Sequence, residues 1–318
     1  MKININPPGS EAEHLAALNR SFGDWGDARR LQWCFARACS PLAADVIVAE
    51  LNGAIIAGVG ISYRRLMTPA GRSMLAGILT AAWSFSVARG TYMRVVSEAG
   101  RLIAERGGAV MLGFMPQDTS SGHQLLRAGA MVASTAYLST SGRQMSAPQG
   151  RLRACILTDA LIDDIFQRVN RRAGRGLRFV YPTREEFVGQ FIDRPRPVDV
   201  FTDATDACFI FERMPRALNL LACLPAAGDA RPSREHLAEA AGLAGEEGRE
   251  LLAYASNEAA LSEAVAAGLV AKPAFMTLTI ACHQALAEVL PDARDEPAAE
   301  TACLAILRSL HVENGDRM

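Results

Sequence analysis

The pattern of apolar and polar positions over residues 77–138 predicts one continuous unit of alternating strands and helices. An apolar strand over residues 77–87 runs into the turn Arg89-Gly90; an amphipathic helix, a buried strand, a short helix ending at Gly129 and another strand follow. A strand that passes directly into a helix leaves unpaired backbone N–H groups at the N-terminus of that helix. With a flanking arginine, such a row of donors is suited to bind a diphosphate.

The remaining segments also predict alternating elements. The first part of the chain predicts two helices, around Leu18 and Trp33, and strands over residues 2–6, 45–51 and 54–62, with Asn52-Gly53 as a hairpin turn. The later part predicts a helix capped by Thr183, strands over residues 198–202, 207–214 and 218–224, and an amphipathic helix after Pro291.

Two distant stretches repeat the same order of elements. In the first half, a strand is followed by a helix ending in Ala128-Gly129 and by a strand containing Tyr137. In the second half, the strand RELLAYAS is followed by a helix ending in Ala267-Gly268 and by the strand PAFMTLTI. We infer a tandem duplication. Residues 141–152 are polar and turn-rich, so they predict a linker between domains at residues 1–140 and 153–318. The expected fold class is α/β (α+β), with a mixed twisted sheet flanked by helices in each domain.

Composition excludes several classes of function. The chain has 318 residues, 50% of them hydrophobic, and a formal net charge of −1, which argues against a nucleic-acid-binding protein. Its seven cysteines and five histidines show no metal-ligand spacing, so we expect no metal site and buried thiols in a reducing compartment. No signal peptide or membrane-spanning run is predicted, and we expect a cytoplasmic protein without a membrane partner.

The unit over residues 77–138 resembles the acyl-CoA-binding core of the GNAT superfamily of N-acyltransferases. The family signature RGxGxG corresponds here to Arg89-Gly90-Thr91-Tyr92-Met93-Arg94, in which the first two positions match and Tyr92 and Arg94 replace later glycines. The resemblance covers roughly residues 1–140. It implies that residues 89–94 contact the diphosphate of acetyl-CoA or another acyl-CoA, with Arg94 supplying charge. The second half is similar to the degenerate second domains of tandem GNAT proteins, and we expect no CoA there.

The resemblance also implies roles for other residues. Ala82, Trp83 and Ser84 would bind the pantetheine arm through backbone groups, although Trp83 is equally well explained as a core aromatic residue. Thr119 and Ser120 would touch the same arm, and the segment also reads as the N-cap of a helix.

The usual general base and acid of the family are missing. No glutamate lies on the strand before Arg89, and Leu125 occupies the usual tyrosine position. The nearby substitutes are His123, Asp118 and Tyr137. The near-neutral ordinary pKa of a histidine suits either proton role, but His123 also fits a solvated helix position.

These features predict an enzyme that moves an acetyl or other acyl group from CoA to the amine of a small polar acceptor. One alternative keeps the chemistry but uses a donor linked to an acyl-carrier protein, or an aminoacyl donor. Another alternative is a GNAT-fold protein that binds a ligand or partner without catalysis.

Overall fold

Strands and helices alternate along most of the chain in the computed structural model, which describes residues 1–36, 38–39, 42–85, 90–141, 152–171, 177–226, 232–291, 293 and 295–317. The elements of the first half are β1 (Lys2–Ile5), α1 (Glu11–Phe22), α2 (Ala28–Ala36), β2 (Ala38–Cys39), β3 (Leu42–Ala43), β4 (Asp45–Leu51), β5 (Ala54–Met67), β6 (Ser73–Ser84), α3 (Thr91–Glu105), β7 (Val110–Pro116), α4 (Ser120–Arg127) and β8 (Met131–Ser139).

The second half continues the alternation with shorter strands at its start. Its elements are β9 (Arg153–Cys155), α5 (Asp159–Arg171), β10 (Arg178–Val180), α6 (Arg184–Phe191), β11 (Val198–Thr202), β12 (Cys208–Arg213), β13 (Ala217–Leu224), α7 (Arg234–Glu246), β14 (Glu250–Ala255), α8 (Glu258–Ala266), β15 (Val270–Ile280), α9 (His283–Val289), α10 (Glu296–Ser309) and a 3-10 turn at Asn314–Arg317.

Within the described residues, thirteen of these strands form one mixed sheet. The order is β1-β4-β5-β6-β7-β15-β8-β14-β13-β12-β11-β9, with β10 paired to β5. The pairs β6–β7 and β13–β14 are parallel, and the other pairs are antiparallel. The expected fold class, a mixed sheet flanked by helices, is therefore confirmed. The predicted domain bounds stay a prediction, since one sheet runs through both halves, and residues 142–151 of the predicted linker lie outside the described residues.

The two halves exchange strands at the centre of this sheet. β15, from the second half, lies between β7 and β8, while β8, from the first half, pairs with β14. Each half therefore completes its sheet with a strand supplied by the other.

The register of the exchanged strands has the symmetry that a duplicated unit produces. The β8–β15 ladder extends four residues to either side of the pair Thr135–Ala274. On one flank Phe114 of β7 faces Met276 of β15, and on the other flank Tyr254 of β14 faces Tyr137 of β8. The glycines that precede β8 and β15 have nearly the same φ, 87° and 88°. An internal two-fold axis thus relates the repeated segments.

Helices cover both faces of the sheet. Helix α3 packs through Val95, Val96 and Ile103 on one face of the first half, and helices α1 and α2 cover the opposite face. Helices α9 and α10 lie over the central strands, where Leu286 and Leu307 are fully buried. The core therefore continues across the boundary between the halves.

A buried polar network fixes the first three strands of the sheet. The hydroxyl of Tyr63 donates a hydrogen bond to Asp45 Oδ2 at 2.6 Å, and Asn6 Nδ2 and Arg106 Nη2 donate to Asp45 Oδ1 at 2.7 and 3.3 Å. Tyr63 and Asp45 are almost completely buried. Since a buried carboxylate without its donors is costly, this network strongly favours the observed register.

Replacing Tyr63 with Phe should lower the free energy of unfolding by about 1–3 kcal/mol, because it removes one donor from a buried carboxylate. Urea unfolding of the two proteins measures the change. Tyr254→Phe is the matched control, since it removes a buried tyrosine hydroxyl that does not donate to a carboxylate. Equal losses in the two variants would contradict the role of the Tyr63–Asp45 bond.

Candidate functional site

The strands β6 and β7 form a cleft because they pair over only part of their length. Parallel pairing covers Ala76–Ile78 and Val110–Leu112, and beyond these residues the ladder between them ends. A bulge lies in β6 just past this point, where Ala81 has φ +49° and the register with β5 shifts. An alanine in the left-handed region costs about 1 kcal/mol, so the packing around it must hold this conformation. The bulge leaves the last residues of β6 facing an open gap.

The N-terminus of α3 lies at the mouth of this cleft. Gly90 is its N-cap with φ +77°, and no side chain caps the helix there. The first-turn N–H groups of this 15-residue helix therefore carry the partial positive charge of the helix end without a side-chain acceptor. Arg89, the arginine of the predicted turn, lies outside the described residues.

A cavity of about 350 Å³ connects the end of β6 with α1, α3 and α4. We call this cavity the first cleft. Its lining residues are Arg20, Ser21, Phe22, Ala82, Trp83, Ser84, Phe85, Tyr92, Ser120, Ser121 and Gln124. The structure thus brings together five of the residues that the sequence predicted to bind the donor: Ala82, Trp83, Ser84, Tyr92 and Ser120.

The other predicted donor-binding residues that the structure describes do not line the first cleft; they are Gly90, Thr91, Met93, Arg94 and Thr119. Thr91 is buried and its hydroxyl lies 3.3 Å from Met1 Sδ, Met93 packs against the core under α3, and Arg94 is exposed. Thr119 caps α4: its hydroxyl donates to the Pro116 carbonyl at 3.0 Å, and its oxygen accepts from Gly122 N at 3.3 Å. Thr119 therefore has the structural role that its sequence context also allowed.

The side chain of Trp83 belongs to the core, although the residue borders the first cleft. It is 3% exposed, and its ring centroid lies 4.9 Å from that of Phe85 and 6.5 Å from that of His14. A Cβ on Gly58 would come within 3.0 Å of the indole, so the glycine makes room for it. Any contact of Trp83 with a ligand must therefore involve mainly its backbone.

Tyr92 links α3 to α4 beside the first cleft. Burial raises the pKa of its hydroxyl to about 12, while a hydrogen bond with the Ser121 hydroxyl acts in the opposite direction. The ring fills space that a glycine of the family signature would leave open. Tyr92 therefore narrows the cleft and presents a hydroxyl that stays protonated at neutral pH.

The three catalytic candidates from the sequence are not brought into one cluster. Asp118 and His123 are exposed near the start of α4. Tyr137 is half-buried on β8, where its ring lies 5.7 Å from that of Tyr254 and 4.7 Å from the Arg317 guanidinium. Among the described residues, no side-chain hydrogen bond or ion pair joins these three, so their roles remain predictions.

Sequence reasoning missed Arg20 and Ser21, which α1 brings to the first cleft. The Arg20 guanidinium lies 4.1 Å from the centroid of Phe85, and the Ser21 hydroxyl is buried without a hydrogen-bond partner. Arg20 is the one charged residue among the described residues that line the cleft. Its helix was predicted, but nothing in the sequence indicated that this helix ends beside β6.

The equivalent gap in the second half is filled by the chain itself. The strands β13 and β14 pair in parallel only over Ala217–Asn219 and Glu250–Leu252. Beyond this ladder, Asn314 Nδ2 donates to the Leu220 carbonyl at 3.1 Å, and Val312 N donates to Ser256 Oγ at 3.3 Å. Of these two gaps, the described residues leave open only the one between β6 and β7.

A further cavity of about 430 Å³ lies between α1, α2 and β4, and His14 forms part of its wall. His14 is 3% exposed, its Nε2 has no hydrogen-bond partner, and its ring packs 5.3 Å from that of Phe35. Burial lowers the pKa of His14 to about 4. The imidazole is therefore neutral at physiological pH.

The described residues contain no group of three or more His, Cys, Asp or Glu side chains arranged to hold a metal ion. None of their helices combines the length and the apolar character needed to cross a membrane.

Comparison with solved structures shows the fold. The chain is similar to a probable N-acyltransferase from Enterococcus faecalis V583, with a TM-score of 0.59, 11% identity, and coverage of 91% of this chain and 74% of that one. It is also similar to a GCN5-related N-acetyltransferase from Anabaena variabilis (TM-score 0.58, 11% identity, 91% and 75% covered) and to Eis1 from Mycobacterium abscessus (TM-score 0.51, 14% identity, 88% and 74% covered). No protein-family model and no curated protein matches the sequence. The fold is thus that of GNAT-type N-acyltransferases.

The buried histidine should make stability depend on pH. The ordinary pKa of 6.5 applies in the unfolded chain and a pKa of about 4 in the folded one, so the unfolded state binds more protons between these values. Stability is therefore full above pH 6.5 and falls by about 3 kcal/mol as the pH decreases to 4. Urea unfolding between pH 7 and 4 should show a smaller decrease in His14→Leu than in the parent protein. His123→Leu, at an exposed position, is the control and should retain the parent slope.

Proposed function

We propose that the protein is an N-acyltransferase that takes its acyl donor from CoA and binds it in the first cleft. The observation that carries this proposal is the cleft itself: two parallel strands that separate, a bulge at Ala81, and the uncapped N-terminus of α3 at the mouth. The similarity in fold to N-acyltransferases supports it.

The geometry provides a binding mode for the donor. Backbone groups of Ala82–Ser84 face the gap and would bond the amides of a pantetheine arm, as an added strand would. The diphosphate would then lie at the α3 N-terminus, where helix N–H groups, Arg89 and Arg94 meet it. Arg20 would add a third positive charge from α1.

Acyl transfer requires little covalent chemistry from the protein. The amine nitrogen attacks the thioester carbonyl, the C–S bond breaks, the amine loses a proton and the thiolate gains one. Holding the two reactants together supplies most of the acceleration, and a proton acceptor and donor supply the rest. We assign the proton transfers to His123, Asp118 and Tyr137; His123 lies three residues after Ser120 in α4, and Ser120 lines the first cleft. The acceptor is a small molecule with a primary amine.

One observation favours a second candidate function. Tyr92 and Arg94 replace the glycines that let the backbone approach a diphosphate closely, and Tyr92 narrows the cleft. A phosphopantetheine arm on a carrier protein needs fewer phosphate contacts from this loop. The alternative function is therefore acyl transfer from a carrier-linked or aminoacyl donor. If no donor reacts, the protein is a binding module without catalysis.

Replacing Arg89 or Arg20 with a neutral residue should weaken donor binding. Arg89→Ala should raise the KM for the acyl-CoA roughly ten- to hundredfold, because one charge-assisted contact worth about 1.5–3 kcal/mol is lost. Arg20→Gln should raise it roughly fivefold, since an exposed charge contributes about 1 kcal/mol. Steady-state kinetics with acetyl-CoA and longer acyl-CoAs measures both changes.

Arg127→Gln is the matched control, because this exposed arginine of α4 does not line the cleft. Its donor KM and the melting temperatures of all three variants should stay near the parent values. Calorimetric titration that detects no binding of any acyl-CoA would contradict a CoA-dependent enzyme. Transfer from a carrier-linked donor alone would establish the alternative.

A further inference from the structure

The second half has its own counterpart of the first cleft, and this counterpart is a cavity of about 240 Å³. We call it the second cleft. The glycines that end the two short helices, Gly129 and Gly268, define the correspondence between α4 and α8. Counted back from them, three residues that line the first cleft correspond to three that line the second: Ser120, Ser121 and Gln124 to Ala259, Ala260 and Glu263. Equivalent positions of α4 and α8 thus line the two cavities, although no β13 residue is among those that line the second cleft.

The charges of these two cavities are opposite. Arg20 is the charged residue in the lining of the first cleft, as far as the described residues show. In the second cleft, the described lining contains the carboxylates of Glu263 and Glu313 and no lysine or arginine, and His311 Nε2 lies 3.0 Å from Glu313 Oε1. Glu263 occupies the position that the neutral Gln124 has in the first cleft. Glu263 Oε2 also accepts a hydrogen bond from the Arg234 backbone N at 2.8 Å, and the Arg317 guanidinium lies 4.1 Å from the centroid of Tyr254, which lines the cleft. The described lining itself still has two carboxylates and no lysine or arginine, which favours a cation over a phosphate group.

The remaining wall of the second cleft is largely apolar. It is formed by Leu138, Leu237, Ala260, Val312 and the ring of Tyr254. The segment around Val312 closes the side on which an extended arm would lie, because its backbone is bonded to Ser256. A short ligand fits such a site, with an apolar group inside and a positive charge toward the carboxylates.

We propose that the second cleft binds a small primary amine that carries a short apolar or aromatic group. The site is separate from the donor cleft, and the proposal does not depend on the acyltransferase activity. It rests on the equivalent placement of the cavity on α8, the reversed charge of its lining and its apolar interior.

Calorimetric titration of the full chain with three probes of the same ring and similar length tests the charge preference. The probes are 2-phenylethylamine, 2-phenylethanol and 3-phenylpropionate, which are cationic, neutral and anionic at pH 7. The amine should bind at least about tenfold more tightly than the alcohol, and the carboxylate should not bind measurably. Equal binding of the three probes, or no binding of the amine, would overturn the proposal.

Variants of α8 then locate the site. Glu263→Gln should weaken amine binding about fivefold or more, and Ala260→Leu, which fills the cavity, should abolish it. Glu258→Gln is the matched control, because it removes the same charge from an exposed position of the same helix outside the cavity. Circular dichroism and melting temperature establish that the variants are folded.

Two further results would contradict the proposal. Equal weakening by Glu263→Gln and Glu258→Gln would indicate a general charge effect instead of a site. Displacement of the amine by saturating acetyl-CoA would place the amine in the donor cleft. Retained amine binding in the presence of acetyl-CoA, lost in Ala260→Leu, supports the second cleft whether or not acyl transfer is observed.

Discussion

The antiparallel pairing of β8 with β15 is the interaction on which the rest of the structure depends. These two strands come from different halves of the chain, and each also forms the ladder that completes the sheet of the other half. Without this pairing, β15 and β8 would both become sheet edges, with the ladder groups on one side of each strand unpaired. The continuous sheet, and the core beneath α9 and α10, follow from this one ladder.

The same arrangement accounts for the difference between the two clefts. Each half contains a parallel pair that separates after three residues, because the next strand on one side comes from the partner half. In the first half the gap stays open beside the uncapped α3. In the second half the residues after α10 pass into the gap and bond Leu220 and Ser256. One geometry thus gives an open groove in one case and a smaller cavity in the other.

Local sequence patterns predicted much of the fold and part of the site. The hairpin at Asn52-Gly53, the cap at Thr119 and the turn at Gly129 could be read from the sequence because each depends on a few adjacent residues. The repeat of strand, helix, Ala-Gly and strand was also readable. The strand exchange was not, because it pairs strands that lie more than a hundred residues apart, and no local pattern encodes such a pairing.

The candidate site, too, could be predicted only in part. Ala82, Ser84 and Ser120 were predicted from the resemblance to GNAT proteins, and the structure places all three in the lining of the first cleft. Arg20 reaches the first cleft through the packing of α1 against Trp83, which no local pattern encodes. The strained conformation of Ala81 could not be predicted either, since alanine is not a residue type that favours a left-handed φ.

The exchange of strands also constrains how the chain folds during synthesis. Strand β7 is made long before β15, its neighbour in the sheet, and about a hundred and fifty residues separate them. Until the later strand emerges from the ribosome, the earlier half exposes an unpaired edge of high β-propensity. Such an edge is a site for aggregation, and contacts between residues so distant in sequence slow folding. The nascent first half is therefore exposed to aggregation until β15 has been synthesised.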